Sequence, residues 1–380
     1  MELKTKTGYQ VDAKLKILVC TSEYYPQGSG IANVAYNVVE KLKEKGITCE
    51  VCSPVGPDIK LGSEIKYGRM SLLRFWNKVR KHFKDSGDDY DIVWLHNPLF
   101  IGKIPFDNCL VTVHTTPHGQ VAEKVYPWHL HVYKKIVSHI DEYCLKKFKK
   151  DTYFTAVDPT VLTEMVKLGI PKDHIQYIPN GVDIDLFKVR KKDSLKQELD
   201  LPLDKEIILS YGRISDQKRP MELIELFAQI SQEIDNTILV FAGDGELLPR
   251  ARKMVETKNL QNIKFLGYID HKKVAPKLLS ASDYYILISK YEGQPLTLLE
   301  AMASGLKCIV SDIPNLQMII DDADCGISLD IQGESVPKQI IEYLESDNMQ
   351  DGKNARSYAV ENFDWEIIAD KYLDEFKKRL

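Results

Sequence analysis

Residues 16–53, KILVCTSEYYPQGSGIANVAYNVVEKLKEKGITCEVCS, contain one strand–helix–strand unit. Lys16–Cys20 is a short apolar run with β-branched residues, which predicts a buried strand. Apolar residues recur at helical spacing over Ile31–Lys45, and Gly46 is a suitable C-terminal stop for that helix. Thr48–Ser53 is the next predicted strand. A strand, a helix and a second strand in this order indicate a βαβ unit of a parallel sheet.

The same alternation continues through most of the chain. Apolar runs that predict further strands lie at Asp91–Leu95, Cys109–His114, Thr152–Val157, Gln176–Ile178, Ile207–Tyr211, Thr237–Ala242, Ile263–Phe265, Tyr284–Ile288 and Lys307–Ser311. Most neighbouring runs are separated by an amphipathic helical pattern, which is typical of parallel sheets with helices on both faces. A chain of 380 residues is too long for one core, so we predict two doubly wound, Rossmann-like α/β domains.

A turn-rich stretch, Ile178-Pro179-Asn180-Gly181-Val182, marks the predicted domain boundary. We therefore expect an N-terminal domain over residues 1–182 and a C-terminal domain over residues 183–361. Residues 362–380 form a third segment, in which Asp364–Leu380 is an amphipathic helix with aromatic residues at helical spacing.

The charge of the chain is unevenly distributed. The whole sequence has 51 Lys and Arg against 55 Asp and Glu, a net charge of −4, which argues against a nucleic-acid partner. Residues 1–182 hold 25 basic and 20 acidic side chains, which leaves 26 and 35 for the remainder. The two parts therefore carry +5 and −9, so the average conceals a basic N-terminal half.

Other features of the sequence predict a cytoplasmic protein. No run of about 18 apolar residues exists that could cross a membrane, and residues 1–16 lack the apolar core of a signal peptide. The seven cysteines are scattered, and several lie in strand-like runs, which indicates reduced, buried thiols. Cys49 and Cys52 have the spacing of a CxxC motif but do not form one, because strand alternation places the two thiols on opposite faces.

The first candidate ligand loop is Glu23–Ile31, which contains Gly28, Ser29 and Gly30 and leads into a helix. Small residues there allow backbone amides to approach an anion at the helix start. The loop does not match the dinucleotide pattern GxGxxG, because position 33 is Asn33. A plain turn remains the alternative interpretation.

The second candidate is the loop Gly212–Lys218, which follows the predicted strand Ile207–Tyr211. Ligands of open parallel sheets bind at the carboxyl ends of the strands. Arg213 and Lys218 at that edge could hold a diphosphate without a metal ion, Arg as a fork and Lys as a point charge. The alternative is a solvated surface pair.

The third candidate is residues 292–305, EGQPLTLLEAMASG. Pro295 suits the first position of a helix, and Gly305 suits its C-terminal stop. Glu292 then precedes the helix, and Glu300 lies five residues inside it, about 7.5 Å from the helix start at the α-helical rise. An elongated ligand such as a nucleotide sugar fits this spacing, with the hexose at Glu292, the diphosphate at the free amides and the ribose at Glu300. The alternative is two solvated acids on a capped surface helix.

Together these motifs resemble glycosyltransferase family 4, which has the GT-B fold, and the resemblance covers nearly the whole chain. The matching segments occur in family order: YPQGSGI at 25–31, DIVWLHNP at 91–98, VTVH at 111–114, AVDPTVLTEMVKLGIPKDHIQYIPNGVD at 156–183, YGRISDQK at 211–218, FAGDGE at 241–246, and the E-x7-E of Glu292 and Glu300. FDWEIIADKY at 363–372 resembles the terminal helix that crosses back to the first domain in this fold. The resemblance implies two domains that face each other across a cleft.

The resemblance also implies roles for individual residues. Arg213 and Lys218 would neutralise the leaving diphosphate in place of a metal. His114 would lie beside the anomeric carbon of the donor, Glu292 would hold sugar hydroxyls, and Glu300 would hold the ribose. The remaining donor-binding positions implied are Ser29, Gly30, Gly212, Gly293, Gln294, Leu296 and Thr297. The chain departs from the common family pattern at Ser29 and at Gln294-Pro295.

The implied activity is retaining, metal-independent transfer of a hexose or N-acetylhexosamine from a nucleotide diphosphate sugar, with UDP-sugars favoured. The acceptor would be a hydroxyl of a sugar, a lipid-linked or a small molecule, and no cofactor or metal is expected. Two alternatives stay open: a Rossmann-type NAD-dependent oxidoreductase, and a non-catalytic nucleotide-sugar-binding protein on the same fold. His114, His118, His129 and His131 lack a carboxylate or cysteine at metal-binding spacing.

Residues Met70–Lys84 form a helical pattern with several basic residues and no acid. Leu72, Trp76, Val79 and Phe83 share one face, with most of the charge opposite. Two interpretations remain open: a core helix, or a surface helix that contacts an anionic membrane weakly. The second would make the protein peripheral on the inner face of the membrane.

Overall fold

A computed structural model describes residues 15–26, 30–62, 68–86, 89–115, 128–148 and 152–380. The strands of the N-terminal part are β1 Lys16–Thr21, β2 Thr48–Ser53, β3 Ile59–Lys60, β4 Ile92–His96, β5 Cys109–Val113, β6 Tyr153–Ala156 and β7 Ile175–Tyr177. They form a parallel sheet in the order β3-β2-β1-β4-β5-β6-β7. The connecting helices are α1 Gly30–Glu44, α2 Gly68–His82, α3 Trp128–Lys146 and α4 Pro159–Lys167.

The C-terminal part contains a second parallel sheet. Its strands are β8 Glu206–Tyr211, β9 Thr237–Ala242, β10 Ile263–Gly267, β11 Tyr284–Leu287, β12 Lys307–Ser311 and β13 Gly326–Leu329, in the order β10-β9-β8-β11-β12-β13. The helices are α5 Lys192–Glu198, α6 Pro220–Ile230, α7 Leu248–Thr257, α8 Ala275–Ala281, α9 Leu296–Ala303, α10 Pro314–Ala323, α11 Val336–Glu345 and α12 Met349–Asn362. Ile207 and Leu209 pack in one core cluster and Ile208 in another. The continuous apolar run of this strand therefore reflects burial on both faces.

Each sheet has a switch point beside its first strand. In the first sheet, β1 lies between β2 and β4, and in the second, β8 lies between β9 and β11. Connections on either side of such a strand run in opposite directions, which leaves a crevice at the carboxyl ends of the strands. The loops after β1, β4, β8 and β11 are therefore where the fold favours a ligand.

The chain divides into two compact units. The first contains Met1–Asn180 together with Trp365–Leu380, and the second contains Gly181–Asp364. Helix α13, Trp365–Lys377, belongs to the first unit, where its apolar face packs on the sheet. Tyr372 and Phe376 lie with their ring centroids 4.7 and 5.7 Å from that of Trp94. The return of the terminal helix to the first domain, predicted from FDWEIIADKY, is confirmed.

Helix α2 is part of the core of the first unit. Trp76, Val79 and Phe83 are buried, so the apolar face of this helix is covered by the protein. Its opposite face carries exposed basic side chains, which are Arg74, Lys78, Lys81 and, just beyond the helix, Lys84. The core interpretation of Met70–Lys84 is therefore correct for Trp76, Val79 and Phe83, whereas Met70 and the charged face are exposed.

All seven cysteines are free and buried, as the sequence predicts. The pKa values of the Cys20 and Cys49 thiols are raised by burial, which disfavours the reactive thiolate. Within the described part of the chain, every helix is too short or too polar to span a bilayer.

Candidate functional site

The loop after β8 is held by a close backbone approach to the loop after β9. Gly212 N donates to Ala242 O at 3.0 Å, and Ile214 N donates to Asp244 O at 2.9 Å. Gly243 has φ +141°, and a Cβ there would lie 1.9 Å from Gly212 O. Only glycine fits this contact, so the FAGDGE segment fixes the backbone from which Arg213 projects.

Lys218 and Glu292 are brought together, although they are 74 residues apart in the chain. Lys218 Nζ lies 2.6 Å from Glu292 Oε1, and the two side chains are 19% and 7% exposed. Lys218 ends the short 3-10 turn Asp216–Lys218 after β8, whereas Glu292 follows β11. The adjacency of β8 and β11 in the sheet thus creates the pair.

Arg213 is placed differently from Lys218. Its side chain is 75% exposed, and its nearest acidic partner is Glu246, with Nη2 and Oε2 3.4 Å apart. Arg213 and Lys218 nevertheless line the same small pocket at the carboxyl end of β8, together with Gly212. The solvated-pair interpretation therefore fits Arg213 in this structure and is wrong for Lys218.

Two residues that the sequence analysis missed hold Glu292 and its loop. Ser289 Oγ donates to Glu292 Oε1 at 2.6 Å. Asn315 Nδ2, at the start of α10, donates to Glu292 O at 3.1 Å and also to Gly293 O. Neither residue lies in a recognised motif. The only sequence signal is their position, two residues after β11 for Ser289 and in the first turn of a helix for Asn315.

Helix α9 begins one residue later than the sequence predicts. Pro295 is the N-cap, with φ −73° and ψ 121°, and Leu296 is the first helical residue. A proline without an N–H costs nothing at this position. The first amides of a helix, here those of Leu296 and Thr297, have no intrahelical acceptor and can meet an anion. Gly305, with φ +77°, follows the C-cap Ser304 and ends the helix as predicted.

Glu300 lies in the interior of α9 and is paired with His271, which the sequence analysis also missed. His271 Nε2 lies 2.8 Å from Glu300 Oε1, and the side chains are 43% and 7% exposed. Burial raises the pKa of Glu300, and the bond to Glu300 raises the pKa of His271. Within the described residues, Glu300 Oε2 is buried and has no hydrogen-bond partner. A buried carboxylate oxygen without a donor is costly, which makes it a ready acceptor for a ligand hydroxyl.

The burial of both acids contradicts the interpretation of Glu292 and Glu300 as solvated residues on a surface helix. Both side chains are 7% exposed, and each is paired with a cation or a histidine. Gln294, between them, is buried as well. This segment is therefore a built polar site rather than a capped surface helix.

In the first unit, two buried histidines are in contact at the carboxyl ends of β4 and β5. His96 Nδ1 and His114 Nε2 are 2.9 Å apart. Asn97 Oδ1 accepts a hydrogen bond from His114 N at 2.9 Å, which assigns the side chain of Asn97 to shaping this loop. Gly30 is the first residue of α1, at the end of the predicted anion loop. Ser29 lies outside the described residues.

No group of three or more His, Cys, Asp or Glu side chains in the described residues has a geometry that could hold a metal ion. His118, and the side chains of His129 and His131, lie outside that part of the chain. At the carboxyl ends of the strands of the second sheet, the paired polar side chains are Lys218 with Glu292 and His271 with Glu300. The first amides of α9 lie beside them in the chain.

Comparison with known proteins identifies the fold and the family. Sucrose-phosphate synthase from Thermosynechococcus elongatus superposes with a TM-score of 0.76 at 20% identity, over 96% of this chain and 99% of that one. The molecule therefore has the two-domain GT-B fold. Two family models match: Glycosyltransferase Family 4 over residues 28–186 and Glycosyl transferases group 1 over residues 191–361. The chain belongs to glycosyltransferase family 4.

Two curated relatives show the range of that family. The N-acetyl-alpha-D-glucosaminyl L-malate synthase of Bacillus anthracis is 28% identical over 57% of this chain and 57% of its own length. The UDP-Gal:alpha-D-GlcNAc-diphosphoundecaprenol alpha-1,3-galactosyltransferase of Escherichia coli is 30% identical over 53% of both chains. This chain thus spans little more than half the length of either relative.

Proposed function

We propose that the protein is a retaining glycosyltransferase that moves a hexose or N-acetylhexosamine from a nucleoside diphosphate sugar to an acceptor hydroxyl. The contact that carries this proposal is Lys218 Nζ to Glu292 Oε1 at 2.6 Å, beside the start of α9. A cation, a buried carboxylate and free helix amides are the groups that an anionic, polyhydroxylated donor requires.

The chemistry we propose is departure of the nucleoside diphosphate without a metal ion. The bond from the anomeric carbon to the diphosphate oxygen breaks, and the acceptor oxygen bonds to that carbon on the same face. The leaving phosphate takes the acceptor proton, so no protein base is needed. Lys218, the α9 amides and the exposed guanidinium of Arg213 would stabilise the developing negative charge, which is usually the largest catalytic contribution.

The donor would lie along the segment from Glu292 to Glu300. Glu292 and the backbone of Gly293 and Gln294 would hold sugar hydroxyls, and Glu300 would accept from the ribose. Lys218 would exchange part of its contact with Glu292 for the diphosphate. UDP is the favoured nucleotide, in line with the name of the Escherichia coli relative. The acceptor class stays open among sugars, lipid-linked and small molecules, since the two relatives are named for different acceptors.

The decisive experiment is a panel of UDP-, GDP- and ADP-sugars assayed for slow hydrolysis and for transfer, alongside thermal shift with UDP and NAD. Release of UDP from one UDP-sugar with retention at the anomeric carbon, unaffected by chelators, supports the proposal. Stabilisation by NAD rather than UDP would favour the oxidoreductase alternative. Binding of UDP-sugars with neither hydrolysis nor transfer would favour a binding protein.

We also propose weak contact between the first unit and an anionic membrane surface. The exposed basic face of α2 adjoins the loop at Ile101, because Arg80 packs against Gly102. Lys147 Nζ donates to Ile101 O on the other side of that loop. Beyond it lies an apolar groove of about 590 Å³, lined by Ile101, Lys135, Ile136, His139, Ile140 and Tyr143. Cations beside exposed apolar side chains suit anionic lipid.

A further inference from the structure

The contact between His96 and His114 defines the hydrogen-bonding state of His114. Both rings are buried, 0% and 6% exposed, and their planes lie within 19° of each other with the ring centroids 5.2 Å apart, so the rings meet edge to edge. Burial lowers the pKa of His114 to about 3 and holds the pKa of His96 well below its ordinary value. Both imidazoles are therefore neutral at pH 7, and each carries one N–H and one bare nitrogen.

Two neutral imidazoles whose facing nitrogens, His96 Nδ1 and His114 Nε2, are 2.9 Å apart can share one proton in two ways. In the first, His96 Nδ1–H donates to His114 Nε2, so the proton of His114 is on Nδ1. In the second, His114 Nε2–H donates to His96 Nδ1, so the proton of His96 is on Nε2. The two arrangements differ in what His114 offers at Nδ1, a donor in the first and an acceptor in the second.

The far nitrogen of His96 distinguishes the two arrangements. Among the described residues, His96 Nε2 is buried and has no hydrogen-bond partner. The second arrangement would leave an N–H donor there without an acceptor, and orphaned buried N–H groups are rare in proteins. The first arrangement leaves only a lone pair on His96 Nε2 without a partner, which costs less free energy than a buried N–H without an acceptor. The ring of Trp94, with its centroid 4.2 Å from that of His96, packs beside this histidine.

We propose that His96 is a positioning residue that holds His114 in the Nδ1–H tautomer, so that His114 acts as a hydrogen-bond donor and not as a base. This rests on the proposed function and on the role that the family resemblance implies for His114, which would lie beside the donor sugar and donate to an oxygen of the substrate. Asn97 complements it, since its Oδ1 fixes the backbone N–H of His114 at 2.9 Å. His96 and Asn97, at the end of β4, thus orient both the ring and the backbone of His114.

The test begins with the tautomer in the absence of substrate. Two-bond proton–nitrogen correlation spectra of the full-length protein with nitrogen-15 histidine report which ring nitrogen carries the proton. We expect His114 to carry it on Nδ1 in the wild type and to lose this fixed state in His96→Phe, which keeps a ring beside Trp94 but has no donor. His96→Asn places an amide N–H near the position of Nδ1 and should preserve the Nδ1–H form.

Kinetics of the same variants provide the second readout. His96→Phe should lower kcat for transfer or donor hydrolysis by about 10–100-fold with little change in UDP affinity, while His96→Asn should stay within about 3-fold of the wild type. His174→Phe, a histidine that stacks on Tyr153 away from His114, is the matched control and should change neither readout.

A proton on Nε2 of His114 in the wild type would overturn the inference, as would an unchanged tautomer in His96→Phe. If His96→Phe does not fold, the wild-type spectrum and His96→Asn still decide. Absence of activity with every donor would refute the proposed function, whereas the spectra test the role of His96 independently.

Discussion

Glu292 is the residue on which most contacts of the proposed donor site converge. Its carboxylate accepts from Lys218 and Ser289, and its backbone carbonyl accepts from Asn315. A residue whose side chain and backbone are both held by hydrogen bonds has one orientation before any ligand arrives. Such preorganisation lowers the cost of binding and keeps the group aligned for the transition state.

Glu292→Ala and Glu300→Ala should therefore affect different quantities, turnover of the donor in the first variant and affinity for UDP in the second. Glu292→Ala should lower turnover of the donor by about 100-fold and change the Kd of UDP by less than about 3-fold, because UDP lacks the sugar. Glu300→Ala should weaken UDP by about 10-fold, since it removes a charged acceptor for the ribose. Steady-state kinetics and calorimetry with UDP measure both, and the reverse pattern would overturn the placement of sugar and ribose.

The pair of Glu300 and His271 predicts a pH-dependent affinity for UDP. Burial raises the pKa of Glu300, and the bond from His271 opposes that rise. A ribose hydroxyl donates best to an ionised carboxylate. The affinity for UDP should therefore fall as the pH drops through the raised pKa of Glu300. His271→Phe removes the hydrogen bond that holds the pKa of Glu300 down, so the loss of UDP affinity should begin at a higher pH in this variant.

Calorimetry with UDP from about pH 5 to about pH 8 checks this in wild type and variant, and the difference between the two proteins cancels the titration of UDP itself. His174→Phe should behave as the wild type. A uniform loss of affinity at every pH would mean that His271 only contacts the ligand.

At the scale of the elements, the loops after β8 and β9 contain two glycines with almost the same φ, +142° at Gly212 and +141° at Gly243. A Cβ at Gly212 would meet nothing within 4 Å, whereas one at Gly243 would overlap Gly212 O. Gly212→Ala should cost about 1–3 kcal/mol for the backbone conformation alone. Gly243→Ala should cost about 1–3 kcal/mol more, because the two loops must separate. Urea unfolding of both variants gives the comparison, and equal losses would contradict the proposed loop packing.

The exposed basic face of α2 leads to a prediction about membranes. Wild-type protein should float with anionic vesicles and not with neutral ones, and added salt should reduce its recovery. Lys78→Glu with Lys81→Glu should abolish most of the binding. The matched control is Arg250→Glu with Lys253→Glu, two exposed cations on α7 of the second unit. Equal recovery with both vesicle types would remove the proposed contact.

The elements were predictable from sequence to a different degree than the site. Buried parallel strands and amphipathic helices follow from local patterns, so β8 and β11 lie within one residue of their predicted bounds and α13 within three. The acids of the site were found because their spacing on a helix is local information. Their partners His271 and Asn315 come from other elements, and only the fold brings them to the acids, whereas Ser289 lies three residues before Glu292 in the same loop. His96 was visible in DIVWLHNP, but its contact with His114 depends on the register of β4 and β5.

At the scale of the whole molecule, the uneven charge follows the two structural units. Residues 365–380 contain four basic and four acidic side chains, so the terminal helix adds no net charge to the first unit. That unit therefore carries +5 and Gly181–Asp364 carries −9. The basic unit is the one with the groove and the basic face of α2. In the acidic unit, Arg213 and Lys218 line one pocket at the end of β8, where we propose that a diphosphate binds.

The four tryptophans, at positions 76, 94, 128 and 365, all belong to the first unit. Tryptophan fluorescence therefore follows unfolding of that unit alone, while protection by UDP would follow the second.

Phe376→Ala removes a fully buried ring that packs on Trp94, and should cost the first unit about 3–5 kcal/mol. The fluorescence transition in urea should shift to lower concentration, whereas UDP affinity should stay within about 2-fold, because α13 contributes nothing to the second core. Asp374→Ala, an exposed position on the same helix, is the control. A parallel loss of UDP binding in Phe376→Ala would show that the two units fold as one cooperative body, and would reject their independence.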